Sequence, residues 1–279
     1  MRNKIKDNPI KGLSFLYNTV VGRIILYPLV NFSFISKLSE KVMDSKISKF
    51  FIKRFIKNNN INMDEYIDEK YLCFNDFFIR NIKKDKRPIN YKENVLIAPC
   101  DSKLTVYDIK EDGLYKIKNS LYSLENLLQD KKLSKEYVNG KLLVFRLSPD
   151  DYHHYYNIDN GSILKTYKIK GKYHTVNPIV YDKYEVFKEN SREISIIKTE
   201  NFDKILYIEV GALLVGKIVN NSKKKIVKGE EKGYFKYGGS TVILVFKENK
   251  IKLDKDILEN SKYGYETYVK LGEKIGLKK

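Results

Sequence analysis

The sequence has no tryptophan and, among 279 residues, only two cysteines, three histidines, three methionines and six prolines. Cys73 and Cys100 are too few for a disulfide framework, and neither a CxxC pair nor a histidine-rich tract offers a metal site. A reducing compartment is the default that follows. Long uncharged apolar runs are missing too. Arg23 and Lys37 interrupt the most apolar stretch, "GLSFLYNTVVGRIILYPLVNFSFISKLSEKVMD", so no run reaches the about 18 to 20 residues that span a bilayer. The opening residues lack the succession of basic start, short apolar core and small-residue cleavage site of a secretory signal. There is no internal repeat, no low-complexity linker and no Gly-x-Ser-x-Gly nucleophile elbow.

What is present is a globular composition, 42% hydrophobic, enough for one large domain or two modest ones. Fifty-three Lys and Arg against 35 Asp and Glu leave a net charge of +18, which favours an anionic partner such as nucleic acid or an acidic membrane surface. Twenty-two tyrosines could stack on bases, but the basic residues are scattered and no helix-turn-helix, zinc-finger or RNP-like motif accompanies them, so nucleic acid is set aside. The first forty-five residues admit two readings. Their helices lie in a lipid headgroup region, with apolar side chains down and Arg23, Lys37, Lys41 and the run "SKFFIKRFIKNNN" outward, or they form a layer on the protein's own core. Pro28 is expected to kink any helix there.

A short amphipathic helix is expected within "DEYIDEKYLCFNDFFIRNIKKDKRPIN", ended by the basic run and Pro88. From "NVLIAPCDSKLTVYDI" onward the runs turn short and rich in Val, Ile and Tyr, as in "KLLVFRL", "REISIIKTE" and "STVILVF", which predicts strands. The fold class is therefore α+β, with a helical, membrane-associating region over 1–85 and a β-rich body over 86–279 that carries one short helix at "YSLENLLQD".

Candidate chemistry is sparse. His153 and His154 stand in the polar run "SPDDYHHYYNIDNG", and His174 in "GKYHTVNP"; each is readable as a structural histidine or as a functional one. Asp101, in "APCDSK", reads as a turn residue after a strand. Near the end, in "GEEKGYFKYGGSTVILVF", two strand-like runs meet at Gly238, Gly239, Ser240 and Thr241, the local grammar of a tight hairpin.

Six blocks, in order, carry a resemblance over nearly the whole chain: "FNDFFIR" (Phe74 to Arg80), "RPI" (Arg87 to Ile89), "APCDS" (Ala98 to Ser102), "DYHHYY" (Asp151 to Tyr156), "VGALLVGKI" (Val210 to Ile218) and "KGEEKGYFKYGGSTV" (Lys228 to Val242). The sequence resembles the phosphatidylserine decarboxylase proenzymes. The resemblance implies a pyruvoyl enzyme that makes its cofactor by cutting itself between Gly239 and Ser240, into a chain of residues 1–239 and one of residues 240–279. Ser240 would become the pyruvoyl group, whose carbonyl condenses with the amine of phosphatidylserine before decarboxylation to phosphatidylethanolamine. The glycines leave no Cβ in the path of Ser240 toward the preceding carbonyl.

By the same resemblance Asp101 matches the charge-relay aspartate, with Ser102 where many members have glycine, and His153 matches the first histidine of Tyr-His-x-x-His. The second histidine falls on Tyr156, and an ordinary tyrosine, with a pKa of about 10, is a poor base at neutral pH. His153 is therefore assigned both base for cleavage and proton donor after decarboxylation, with His174 as a substitute. The implied partners are phosphatidylserine, an anionic membrane surface and the two chains of one precursor, with a homodimer left open. The expected location is peripheral, on the cytoplasmic side of the cell membrane. Two other readings stand beside this one: a relative that binds acidic lipid without processing itself, and a β-barrel carrier suggested by "YVKLGEKIGL".

Overall fold

The computed structural model describes residues 2–5, 11–117, 120–181, 183–213, 217–237 and 240–279. The architecture is α+β with a β-rich body, as expected. Its centre is a nine-stranded sheet formed by β1 (Lys4–Ile5), β2 (Ser102–Asp108), β3 (Lys141–Leu147), β4 (Gly161–Ile169), β5 (Arg192–Thr199), β6 (Lys204–Val210), β7 (Lys225–Ile226), β8 (Ser240–Phe246) and β9 (Glu266–Val269). The order is β1-β9-β2-β3-β8-β6-β5-β4-β7, and every pairing is antiparallel.

Alternation along the strands feeds two cores, one on each face. Leu143, Phe145, Tyr207, Val242, Leu244 and Phe246 join Tyr155 and Phe235 on one face. Leu142, Val144, Ile208, Ile243 and Val245 join Tyr17, Leu26 and Val30 on the other. β8 lies between β3 and β6 and is buried at all seven residues, which is why "STVILVF" reads as a continuous apolar run rather than an alternating one.

The hairpin expected at the Gly-Gly junction does not form. Glu231–Phe235 pairs with Ile218–Asn220 and His154–Tyr156 in a separate three-stranded sheet, while β8 already has a partner on each edge. The junction thus carries the chain from one sheet to another. Gly238 and the scissile Gly239 lie outside the described residues, as do Leu214 to Gly216 of "VGALLVGKI".

The N-terminal region supplies α1 (Lys11–Asn18), α2 (Val20–Asn31), α3 (Ser33–Met43), α4 (Phe50–Asn58) and α5 (Phe74–Phe78). The sharp bend falls at Thr19, where α1 and α2 meet at 96°, and not at Pro28, which lies inside α2. Thr19 caps α2 by accepting from Gly22 N at 2.9 Å. A Cβ on Gly22 would sit 2.1 Å from the Phe15 carbonyl oxygen, so only glycine permits this approach. Part of this region forms a layer on the body, through Tyr17, Leu26 and Val30, whereas Val20, Val21, Ile24, Ile25 and Tyr27 face outward. Among the described residues no single helix is long and apolar enough to cross a membrane. One feature is unforeseen by the sequence: β1 extends the sheet by pairing with β9, and Arg2 binds Asp254, Asp256 and Glu273.

A third core lies over one corner of the body. Phe74, Phe77 and Phe78 of α5 pack with Ile52, Tyr152 and Leu271, and with the half-buried Phe55 and Tyr237. This cluster includes Tyr237, three residues before β8 begins.

Candidate active site

Ser240 opens β8, opposite Leu147 at the end of β3, and the next residue, Thr241, lies opposite Val210 at the end of β6. Three central strands therefore end or begin together, and the loops leaving β3 and β6 gather there. The Ser240 hydroxyl is fully buried and, among the described residues, has no hydrogen-bond partner, an arrangement that folding alone does not favour. Strand alternation places Ser240 on the face of Val242, Leu244 and Phe246.

His153 belongs to the loop that follows β3. Ser148 N donates to Asp151 Oδ2 at 2.6 Å, Lys103 Nζ donates to the same oxygen at 2.7 Å, and His153 Nδ1 donates to the Asp151 carbonyl oxygen at 2.9 Å. A carbonyl can only accept, so the proton sits on Nδ1 and Nε2 keeps its lone pair. That Nε2 is buried and unpartnered. The Phe78 ring packs on the imidazole with centroids 4.2 Å apart, and Phe235 N donates to the His153 carbonyl at 3.0 Å. Burial pushes the imidazole down to about 3, and the charges of Arg80, His154 and Lys103 act in the same direction against the bond to Asp151. His153 is thus neutral at pH 7, with a free basic nitrogen. Beside it, burial lifts the Asp151 carboxyl to about 7 and outweighs the pull of Lys103.

The other two histidines differ. His154 has both nitrogens engaged, Nδ1 with Glu231 Oε2 at 2.8 Å and Nε2 with the Ile79 carbonyl at 3.0 Å, and it stacks on Tyr152. It is a structural tie between α5 and the small sheet. His174 Nε2 makes no hydrogen bond among the described residues but lies 3.8 Å from Glu189 Oε2, and burial lowers the ring to about 4 against that carboxylate. It packs, however, against Tyr17 and Tyr184 on the opposite core, the face of Thr241 rather than of Ser240. Among the described residues the Tyr156 hydroxyl meets the Tyr152 hydroxyl, at 3.4 Å, and burial raises it further from the range of a base.

Asp101 is buried at the start of β2, and its carboxylate is saturated. Arg87 Nε donates to Oδ1 at 2.8 Å and Oδ2 at 2.9 Å, Arg87 Nη2 to Oδ2 at 2.5 Å, and Leu271 N to Oδ1 at 2.8 Å. None of these bonds goes to a histidine. Replacing Arg87 by Met in an uncleaved Ser240→Ala chain is expected to lower stability by about 3–5 kcal/mol in urea unfolding, because it strands a buried carboxylate. A loss below about 1 kcal/mol would mean that Asp101 is not held by this pair.

Sequence reasoning named Ser240, His153 and Asp101 as candidates; it assigned no role to Lys103, whose signal was a cation inside an apolar strand, or to Arg87, which stood in the RPI block. The orphaned Ser240 hydroxyl and the orphaned His153 nitrogen are the two groups that conversion of a serine into a carbonyl requires, so the residues present fit a pyruvoyl group at position 240.

The phosphatidylserine decarboxylase family model matches residues 74–277. The phosphatidylserine decarboxylase proenzyme 2 of Clostridium acetobutylicum is 51% identical over 264 residues, which cover 95% of this chain and 91% of that protein. The phosphatidylserine decarboxylase proenzymes of Clostridium botulinum strain Hall and of Clostridium tetani are 46% and 45% identical, each over 96% of this chain and 93% and 92% of their own lengths.

Proposed function

The chain belongs to the phosphatidylserine decarboxylase family, and from that premise we propose that it cuts itself before Ser240, forms a pyruvoyl group there and decarboxylates phosphatidylserine to phosphatidylethanolamine. The observation that carries the reading is that, among the described residues, the buried Ser240 hydroxyl at the start of β8 and the buried His153 Nε2 in the loop leaving the strand opposite it both lack a hydrogen-bond partner. His153 Nε2 takes the hydroxyl proton, and Ser240 Oγ attacks the Gly239 carbonyl carbon. The acyl group moves from nitrogen to oxygen. Loss of the Ser240 Cα proton then expels the Gly239 carboxylate and leaves a dehydroalanine, which takes up water and releases ammonia. Lys103 and Asp151 fix the loop whose carbonyl sets the His153 tautomer.

Once formed, a pyruvoyl group supplies a carbonyl that condenses with the substrate amine and accepts the electron pair released as carbon dioxide leaves. His153, through its unpartnered Nε2, is the group that passes a proton from solvent to the substrate carbon. Asp101 contributes by anchoring Leu271 and Arg87 under the loop rather than by touching the imidazole.

The same proposal treats residues 1–85 as the region that meets the membrane and 86–279 as the catalytic body, cut into chains 1–239 and 240–279. The outward Val20, Val21, Ile24 and Ile25, together with the +18 charge, support a peripheral position on an anionic bilayer at the cytoplasmic face. Val21→Asp with Ile25→Asp, both at exposed positions, is expected to weaken sedimentation with phosphatidylserine vesicles about tenfold or more, since each such side chain moved into lipid contributes about 1.5–3 kcal/mol. Unchanged sedimentation would remove α2 from the membrane surface. Carbon dioxide release from phosphatidylserine micelles by the purified protein, with a parallel intact mass, tests the function as a whole.

A further inference from the structure

Four arginines are buried, and three of them are satisfied. Arg87 pairs with Asp101 and Glu65, and Arg146 pairs with Glu266. Arg192, 1% exposed, meets no carboxylate but donates to the carbonyls of Leu127, Lys188, Asn190 and Asn126 at 2.7 to 3.0 Å. Arg80 is also 1% exposed, and among the described residues it has no ion pair. Its Nη2 reaches the Tyr66 hydroxyl at 3.0 Å. Two more contacts, to the carbonyls of Phe78 and Asp150, are stretched to 3.4 Å, and Nε has no partner. The rings of Tyr66 and Phe77 lie 4.2 and 4.9 Å from the guanidinium carbon. Ring contacts of this kind return only part of what a guanidinium loses on leaving water. The fold thus holds a buried cation with an unused donor edge, although it supplies acceptors to Arg192.

The place of this cation is informative. Phe78, whose carbonyl it touches, packs on His153. Asp150, whose carbonyl it also touches, precedes the Asp151 that orients His153. Arg80 therefore stands beside the proposed base, with charge to spare. We propose that Arg80 is an anion-binding residue for the phosphodiester of the phospholipid headgroup, which accepts from Nε and the adjacent amino group in the forked geometry that guanidinium favours. The proposal rests on the decarboxylase reading above. Between the two anionic groups of the substrate, the phosphodiester fits better. A guanidinium on the carboxylate would hold the charge that has to depart as carbon dioxide is lost. The phosphodiester keeps its charge from substrate to product, so binding it helps capture without opposing the chemistry.

The intact chain covers this corner. The ring of Tyr237, just before the proposed cut, stands edge-on to Phe74 and Phe78 at 5.0 and 5.4 Å. Cleavage after Gly239 would free the end that carries Tyr237 from β8 and loosen the aromatic cluster around Phe78, whose carbonyl Arg80 touches. The anion site would then belong to the processed enzyme and not to its precursor.

The test is steady-state kinetics on the processed enzyme in Triton mixed micelles of phosphatidylserine. Dihexanoyl-phosphatidylethanolamine, which has the phosphodiester but no carboxylate, serves as competitive inhibitor. For Arg80→Met the expected result is a KM raised about tenfold or more, with a similar rise in the inhibition constant and a smaller change in kcat. Arg80→Lys keeps the charge without the fork. It should show a lesser rise in both constants, and it carries the comparison if Arg80→Met fails to fold. Denaturing mass confirms that each variant has processed. A processed variant with wild-type KM and inhibition constant overturns the proposal. So does a raised KM with an unchanged inhibition constant, which would assign Arg80 to the carboxylate. A wild-type enzyme that releases no carbon dioxide would instead refute the decarboxylase reading itself.

Discussion

Ser240→Ala should leave a single chain of 279 residues that releases no carbon dioxide, while its fold is as stable as that of the parent or slightly more so. The structure separates these two expectations. The hydroxyl is buried and makes no hydrogen bond among the described residues, so its removal breaks none of these and relieves an unsatisfied polar atom. Removal of such an atom is worth about 1 kcal/mol or a little more. The chemistry, by contrast, loses its only nucleophile, and with it both the cut and the carbonyl that follows. Intact mass and urea unfolding read the two sides independently. A Ser240→Ala chain that still splits, or that splits and still releases carbon dioxide, would place the reacting residue elsewhere. A chain that fails to fold would show that the hydroxyl has a structural partner.

His153→Gln should slow self-cleavage by about 10²- to 10⁴-fold, the usual loss when a positioned base is removed. His174→Gln should process at close to the wild-type rate, because His174 sits with Tyr17 and Tyr184 on the other face of β8. The pH dependence carries the sharper signature. Since burial pushes His153 down to about 3, its basic form dominates from pH 8 to 5, and wild-type cleavage should be nearly flat across that range and fail only in stronger acid. A tyrosine base at position 156 would instead give a rate rising steeply toward alkaline pH.

The same shift has a cost in stability with a definite sign. An unfolded histidine takes up a proton below about pH 6.5, whereas the folded one refuses it until about 3. The stability this group permits is therefore whole above pH 6.5 and is lost as the pH falls through that window. The acid limb of unfolding should accordingly be shallower in His153→Gln than in the parent, with both measured on the Ser240→Ala background. Equal limbs would mean that His153 is already charged in the folded chain.

Much of this was legible in the chain before any coordinates. The β-rich body, the short helix at Leu124–Leu128 and the strand beginning at Ser240 follow from local patterns of Val, Ile and Tyr. Ser240 and His153 were singled out by the resemblance of the motif blocks that hold them, and their roles stand as the proposal above. What local patterns could not give is which strands meet. The Gly-Gly junction reads as a hairpin because Glu231–Phe235 and β8 are near in sequence, yet β8 finds its neighbours at Lys141–Leu147 and Lys204–Val210, which no turn grammar encodes. The role of Asp101 was hidden for a similar reason. Its occupancy depends on Arg87 and on the backbone of Leu271, at the far end of the chain. The choice among three histidines required knowing which nitrogens are engaged, and that emerges only when Asp151, Glu231 and Ile79 are in place.

The most direct measurement of the central claim is the denaturing mass of the purified wild-type protein after incubation with phosphatidylserine vesicles. Self-processing at Ser240 predicts two chains, residues 1–239 and a 40-residue partner (279 minus 239), the latter lighter by one ammonia than the peptide that begins with serine. A single intact chain with a free Ser240, stable through the incubation, would contradict it.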